Sequence, residues 1–194
     1  MGPLMLCQFT FSNYRSYRDE TTLTMQASPM KEFSQSLITG EDGQSFLPVA
    51  AVYGPNAGGK SNLLSAISYV QAAVALPIIS LMRERETREG AFRRLPRCSA
   101  FAFDESHGGQ PSEFEVYYRE GDYEYRYALS VNASEIEGES LARRKVGASR
   151  AARLFDREGD EVVLGPSLRS ASVSTNFNPS IPYLSYLYMN TDLE

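Results

Sequence analysis

The apolar and polar positions at the start of the chain predict two strands, a surface loop and a third strand. Alternation over residues 6–11 predicts the first strand, and residues 21–25 predict its partner. Residues 27–48 are rich in Ser, Gly, Asp and Glu, which indicates a loop. The apolar run 49–53 then predicts a buried strand.

A helical pattern follows, running from residue 60 to about residue 76. Pro77 should kink or end this helix, and residues 78–86 could continue it. Because Pro77 interrupts the longest apolar stretch, residues 70–82, no segment is expected to span a membrane.

The second half of the chain predicts antiparallel β structure. β-type runs joined by short Gly, Asp or Asn turns cover residues 99–103, 113–118, 123–131, 136–144, 152–155 and 161–164. Alternation in such a sheet accounts for the tyrosines at 117, 118, 123, 125 and 127, although a base-stacking platform is an alternative. After a Ser- and Asn-rich loop, residues 181–189 predict a helix with one face formed by Tyr183, Leu184, Leu187 and Tyr188.

Between the apolar run and the long helix lies a complete G-x-x-x-x-G-K-[ST] sequence. Residues 54–61 are Gly54, Pro55, Asn56, Ala57, Gly58, Gly59, Lys60 and Ser61. A strand, a glycine-rich loop and a helix start occur in the order that a phosphate-binding loop requires. Backbone N–H groups at the helix N-terminus would bind the phosphates, aided by the helix dipole.

Individual residues of this loop have predicted roles in binding a triphosphate. Gly54, Gly58 and Gly59 would bring the backbone close to the phosphates and allow positive φ. Lys60 would reach the β- and γ-phosphates, and the Ser61 hydroxyl would be one ligand of Mg²⁺. The sequence therefore predicts ATP and Mg²⁺ as cofactors.

Composition narrows the class of protein. The 194 residues are 42% hydrophobic and 22% charged, as in an ordinary globular domain. Two cysteines and one histidine exclude a disulfide framework and histidine triads, and they favour a cytoplasmic location. A net charge of −5 argues against a general polyanion binder, and the arginine-rich segment 83–97 is either a solvated face or a contact to nucleic acid or a partner.

A second acidic motif leaves two interpretations open. Four apolar residues precede Asp104 and Glu105, as in the magnesium-anchoring motif of ring-type ATPases, and in that case both carboxylates would be catalytic. The antiparallel hairpins predicted after them do not fit a ring-type ATPase, in which helices and parallel strands alternate. Asp104 and Glu105 would then be surface residues at the end of a strand.

The chain has the sequence Phe-Thr-Phe-Ser-Asn-Tyr-Arg-Ser-Tyr at residues 9–17, and Asn62-Leu63-Leu64 follow the phosphate-binding loop. Together with the loop, these stretches resemble the start of ABC-type ATPases related to SMC proteins, RecF and the OLD nucleases. The resemblance implies an α/β P-loop NTPase fold: an ABC-ATPase-like N-terminal lobe with a mixed sheet around the phosphate loop and an antiparallel β subdomain. It also implies that Arg15 and Ser16 approach the nucleotide, and that Asn56 and Asn62 occupy polar positions typical of the loop.

By the same resemblance, residues 5–194 form a single ATP-binding lobe. Residues 5–98 would be the phosphate-loop core, 99–165 the hairpins, and 166–194 a loop and C-terminal helix. The sequence has no Leu-Ser-Gly-Gly signature, no late acidic strand, no switch histidine and no glutamine after Gln110. We therefore expect the N-terminal part of a longer ATPase, or one half of a split one.

The resemblance implies a function that depends on a second ATPase head. ATP would bind to the loop and be hydrolysed on head dimerisation, in DNA repair or phage defence. The expected partners are the C-terminal half or a second head, with DNA possible and no membrane. The alternatives are a self-contained ring-type ATPase using Asp104 and Glu105, and a non-hydrolysing module in which nucleotide gates a partner interface at residues 183–188.

Overall fold

A computed structural model describes residues 4–29, 34–87, 95–103 and 109–190. Nine strands occur in these ranges: β1 Met5–Ser12, β2 Thr21–Thr24, β3 Ile38–Thr39, β4 Ser45–Phe46, β5 Ser112–Glu120, β6 Tyr123–Asn132, β7 Glu135–Lys145, β8 Ala152–Glu158 and β9 Glu161–Leu164. Three helices accompany them: α1 Lys60–Thr87, α2 Pro166–Ser170 and α3 Tyr183–Asn190. Ser34–Ser36 form a single 3-10 turn.

Seven of the strands form one sheet in the order β2-β1-β5-β6-β7-β8-β9. Every pairing between these strands is antiparallel, and successive strands from β5 to β9 are neighbours. The predicted antiparallel hairpins are thus confirmed. The predicted mixed sheet around the phosphate loop is not found in the described part of the chain, because the predicted strand at 49–53 does not form.

The apolar face of the sheet forms the main hydrophobic core. Phe11 lies opposite Phe114 in the β1–β5 register, and Phe114 lies opposite Leu129 in the β5–β6 register. All three side chains are buried. Alternation in the sequence therefore produces one apolar face, as period-two patterning requires.

Helix α1 packs across this apolar face. Its buried residues recur at helical spacing: Leu63, Ala66, Tyr69, Val70 and Ala73. Pro77 does not end the helix: residues 78–86 continue it, as the sequence allowed, and α1 runs on to Thr87. Proline removes one backbone hydrogen bond from a helix, and here the Pro77 ring is fully buried, so its packing offsets that loss.

The same helix contains a long apolar stretch, although Pro77 lies within it. Residues Lys60–Met82 are long and apolar enough to cross a membrane by length and composition alone. In this fold one side of the stretch contributes to the hydrophobic core against the sheet.

A small hairpin covers one end of the opposite face of the sheet. β3 and β4 bring Phe46 onto Met5 and Cys7. The buried Arg119 guanidinium donates to both Asp42 carboxylate oxygens, at 3.0 and 2.8 Å, and hydrogen bonding to it lowers the pKa of Asp42. The segment predicted as a loop at 27–48 therefore contains a hairpin held by a residue about 77 positions later.

Glu139 attaches the C-terminal helix to the sheet. Its buried carboxylate accepts the backbone N–H groups of Tyr183 and Leu184, at 2.6 and 2.9 Å, and so caps the first turn of α3. Arg157 lies 3.5 Å from the same carboxylate and donates to the Ile181 carbonyl at 2.7 Å. Burial raises the pKa of Glu139 and lowers that of Arg157, so each charge depends on the other and on these hydrogen bonds.

Two predicted strands and one predicted helix face are also corrected by this fold. Residues 49–53 and 99–103 are not strands, since neither run pairs with a strand of the described sheet. The predicted face of α3 is only partly right: Tyr183 and Leu187 are buried, but Tyr188 is exposed and Ser185 is buried instead.

We predict that Glu139→Ala lowers the free energy of unfolding by about 3–5 kcal/mol, because it leaves the buried Arg157 charge and the α3 N-terminus without their partner. Urea unfolding followed by circular dichroism measures this. The control is Glu137→Ala, at an exposed position on the same strand, which should change stability by less than about 0.5 kcal/mol. Equal effects of the two substitutions would contradict the structural role of Glu139.

Candidate phosphate-binding site

The loop at residues 54–59 turns back on itself before α1 begins. The Gly58 N–H donates to the Pro55 carbonyl at 3.2 Å, and both Ala57 and Gly59 have left-handed backbones, with φ of 63° and 82°. The Gly59 carbonyl accepts the N–H groups of Asn62 and Leu63, at 2.8 and 3.1 Å. Gly59 is therefore the residue at which the helix hydrogen bonding starts.

The glycines of the loop differ in why they are needed. A Cβ atom on Gly58 would lie 3.0 Å from the Pro55 carbonyl oxygen, so the loop closes tightly there. Gly59 requires its positive φ. The sequence also predicted a need for glycine at position 54. A Cβ atom there would meet only the Lys60 Cδ at 3.9 Å, so the described structure has room for a side chain at this position.

Lys60 extends back over the loop that precedes it. Its ammonium nitrogen donates to the carbonyl oxygens of Gly54 and Pro55, at 2.9 and 2.6 Å. The positive charge thus lies inside the loop, at the N-terminal end of a 28-residue helix. Lys60 and Ser61 are the first two residues of that helix, so their backbone N–H groups have no acceptor within it.

A tight turn from the end of β1 contacts the beginning of α1. Tyr14 and Tyr17 exchange backbone hydrogen bonds of 2.8 and 2.9 Å, which leaves Arg15 and Ser16 at the tip of the turn. The Asn62 side-chain amide donates to the Ser16 hydroxyl oxygen at 2.7 Å. The structure therefore brings together two of the predicted site residues, Ser16 and Asn62, that are 46 positions apart in sequence.

Arg15, the other site residue predicted in this turn, has an exposed side chain. Its guanidinium carbon lies 5.4 Å from the centre of the Tyr14 ring. Its backbone has φ of 52° and bonds to Ser99 and Ala102, at 2.9 and 3.1 Å. Arg15 thus joins the turn to the segment that precedes residues 104–108.

The Asn13 side chain bonds to residues on both sides of positions 104–108. Its side-chain amide donates to the carbonyls of Gln110 and Pro111, at 2.9 and 3.1 Å, and its amide oxygen accepts the Phe101 N–H at 3.1 Å. Asp104 and Glu105 lie outside the described residues, between these two anchored ends. Asn13 was not assigned a role from sequence, although it lies within the 9–17 motif and Asn is the residue type that tolerates its φ of 49°.

The residues that lead into the loop are exposed and have no regular secondary structure. The exposed fractions of Val49, Val52 and Tyr53 are 75%, 44% and 90%. Leu64, on the outer side of α1, is 60% exposed. The apolar side chains near the loop therefore form surface that the described part of the chain does not cover.

Comparison with known families gives this arrangement a context. The profile of a family described as "AAA domain, putative AbiEii toxin, Type IV TA system" matches residues 49–173, more than half of the chain. The chain belongs to this AAA domain family. It is a P-loop ATPase family of the kind found in defence systems, which supports an α/β P-loop fold and nucleotide binding. No curated protein matches the chain.

We predict that Asn13→Ala lowers the stability of this AAA domain by about 2–3 kcal/mol, because it removes several partly buried hydrogen bonds and forces alanine into a left-handed backbone. Urea unfolding measures the loss. The control, Asn132→Ala, removes one exposed hydrogen bond to Gly109 and should cost less than about 1 kcal/mol. A loss no larger in Asn13→Ala than in the control would show that Asn13 does not fix the turn.

Proposed function

We propose that this AAA domain binds Mg·ATP through residues 54–61 and is the N-terminal lobe of an ABC-type ATPase of the SMC, RecF and OLD group. In the complete assembly, ATP would be hydrolysed when two heads close on it, in DNA repair or phage defence. The observation that carries the proposal is the Lys60 ammonium inside a closed loop at the N-terminus of α1. DNA as a partner belongs to the same proposal and rests on the resemblance, and the proposed cytoplasmic location rests on the low cysteine content.

The residues present have the chemistry that a triphosphate needs. Lys60 now bonds to two neutral carbonyls, and phosphate oxygens are stronger acceptors for an ammonium because the hydrogen bond is then charge-assisted. The backbone N–H groups of Lys60 and Ser61, with the helix dipole, add to the positive field. The requirement for glycine at 59 keeps the backbone at this point free of a side chain.

Ser61 is the candidate contact to the metal. It is exposed in the first turn of α1, so a ligand in the loop can reach its hydroxyl. A bound Mg²⁺, held in part by the Ser61 hydroxyl, would neutralise charge on the phosphates. The residues of this chain would hold and orient the triphosphate: Lys60 and the N–H groups on the phosphates, and Arg15 and Ser16 on the phosphates or the ribose.

The exposed residues before the loop are evidence for a binding partner, which we propose to be the C-terminal half or a second head. Val49, Val52 and Tyr53 belong to an exposed apolar run with no strand beside it in the described sheet. Unpaired backbone and exposed apolar side chains are unfavourable in water, so this run suits pairing with a strand from elsewhere. A partner at this run would also reach the phosphate loop, since Gly54 follows Tyr53 directly.

The two alternatives differ in how far the fold supports them. The strands after residues 104–108 are all antiparallel, which does not favour a ring-type ATPase that uses Asp104 and Glu105. A nucleotide-gated module has one observation in its favour: the Ser185 hydroxyl of α3 donates to the Val74 carbonyl of α1 at 2.8 Å. Nucleotide binding at the start of α1 could therefore affect the surface at residues 183–188.

We predict that Lys60→Ala abolishes measurable Mg·ATP binding, because it removes the side-chain cation of the loop, and changes the free energy of unfolding by less than about 0.5 kcal/mol. Titration with a fluorescent ATP analogue measures binding, and urea unfolding measures stability. Lys145→Ala, in the exposed end of β7, is the charge-matched control and should bind like the wild type. Normal binding by Lys60→Ala would refute the proposed site.

We also predict negligible steady-state ATP hydrolysis by this chain alone, both in the wild type and in Asp104→Asn, since only the phosphate-loop share of the catalytic groups is proposed to be present. Phosphate release over time measures the turnover. Turnover by the wild type that Asp104→Asn abolishes would favour the ring-type alternative. Binding without turnover, even after the second half is supplied, would favour the gated module.

A further inference from the structure

Tyr17 has no role in the site described so far, yet its ring lies directly on the phosphate loop. A Cβ atom placed on Gly59 would lie 3.0 Å from the Tyr17 hydroxyl oxygen and 3.1 Å from the ring carbons Cε2 and Cζ. The hydroxyl donates to the Gly59 carbonyl oxygen at 3.4 Å. The side chain of Tyr17 therefore contacts the backbone of the loop at the point where the helix begins.

Tyr17 itself is fixed from the side of the sheet. Its ring meets the Phe11 ring edge-on, with the ring centres 4.8 Å apart, and Phe11 is buried in β1. Its backbone is paired in both directions with Tyr14, and Tyr14 is also buried. The Tyr17 ring is therefore anchored to the hydrophobic core by contacts that do not involve the loop.

The contact between Tyr17 and Gly59 affects the orientation of the Lys60 backbone N–H group, which faces the phosphate site. The Gly59 carbonyl and the Lys60 N–H belong to one planar trans peptide, so they point in opposite directions. The carbonyl points along α1, where it also accepts from Asn62 and Leu63. The Lys60 N–H consequently points out of the helix N-terminus, where an anion binds.

This peptide needs an external contact because its own backbone is permissive. Gly59 follows Gly58, and glycine has access to more of φ/ψ space than any other residue. If the loop became ordered only when nucleotide bound, the loss of conformational entropy would weaken the binding of nucleotide. A contact that orders it in advance preserves the affinity.

We propose that Tyr17 is a positioning residue of the nucleotide site: its ring and hydroxyl hold the Gly59–Lys60 peptide so that the Lys60 N–H faces the phosphate. The inference rests on the proposed nucleotide binding. Tyr17 acts through Gly59 and does not itself contact the phosphates. Its effect is on affinity for Mg·ATP and not on the folding of the chain.

The sequence allows this one peptide to be observed directly. Gly59-Lys60 is the only Gly-Lys pair among the 194 residues. Labelling glycine carbonyls with ¹³C and lysine amides with ¹⁵N therefore yields a single peak in a carbonyl–amide correlation spectrum. Its carbon shift reports the hydrogen bonding of the Gly59 carbonyl, and its nitrogen and proton shifts report the Lys60 N–H.

The test compares the wild type, Tyr17→Phe and the control Tyr188→Phe, whose tyrosine is exposed on α3. We expect Tyr17→Phe to shift the Gly59 carbonyl signal and to raise the dissociation constant for Mg·ATP about three- to tenfold, the usual effect of one hydrogen bond. The unfolding midpoint should stay that of the wild type. Tyr188→Phe should change none of the three quantities, and Tyr17→Leu, which also lacks the ring, should weaken binding more than Tyr17→Phe.

The possible outcomes separate this inference from the proposed function. If the peak of the wild type does not move on addition of Mg·ATP, the nucleotide site is wrong and the role of Tyr17 with it. If the wild type binds, and Tyr17→Phe has the same affinity and the same carbonyl shift, the positioning role alone is overturned. A loss of affinity in Tyr17→Phe that only follows a loss of folding, with the peak unchanged, would also overturn it.

Discussion

The packing of α1 against the apolar face of the antiparallel sheet is the interaction on which the rest of the structure depends. It buries residues such as Ala66, Tyr69 and Ala73 of the helix against Phe9, Phe11 and Phe114 of the sheet. An isolated helix is marginal in water, and one that contains proline is weaker still, so this packing is what keeps α1 continuous to Thr87. The N-terminus of α1 is thereby held at a fixed place, and the phosphate loop ends there.

Two sets of polar contacts then hold the elements around that helix. The turn after β1 fixes its start, through Ser16 on Asn62 and the Tyr14 hydroxyl 3.0 Å from the Ser65 hydroxyl. Near its middle, α3 packs on it, and Glu139 attaches α3 to the sheet. The loop is therefore supported on the side of the sheet and exposed on the other, where Val49, Val52 and Tyr53 lie. A site supported on one side in this way is consistent with the proposed need for a second half.

Local signals in the sequence were sufficient for the phosphate loop and the hairpins. The loop follows from a dense motif of eight residues, and the hairpins follow from alternation and turn residues such as Gly121 and Gly159, both of which have positive φ. The strand at 49–53 was predicted because its residues favour β structure, but a strand also needs a neighbour, and no local pattern reports whether one is present. The same limit applies to residues 99–103.

Other features depended on contacts between distant residues and had no local signal. Pro77 indicates a break in α1 only if tertiary packing is ignored. The hairpin of β3 and β4 depends on Arg119, which lies far along the chain. Asn13 and Tyr17 lie inside a motif that was noted for its resemblance, yet their roles come from partners at 101–111 and 59. Arg15 and Ser16 were assigned from that resemblance, and the fold adds a contact to α1 for Ser16 only.

Hydrogen–deuterium exchange of this chain with and without Mg·ATP locates bound nucleotide on the backbone. We expect slower exchange of the amides at residues 58–62 when Mg·ATP is added, no such change in Lys60→Ala, and fast exchange at residues 49–53 in both proteins. Protection by Mg·ATP that appeared elsewhere in the chain but not at 58–62, or that persisted in Lys60→Ala, would contradict the assignment of the nucleotide site to this loop.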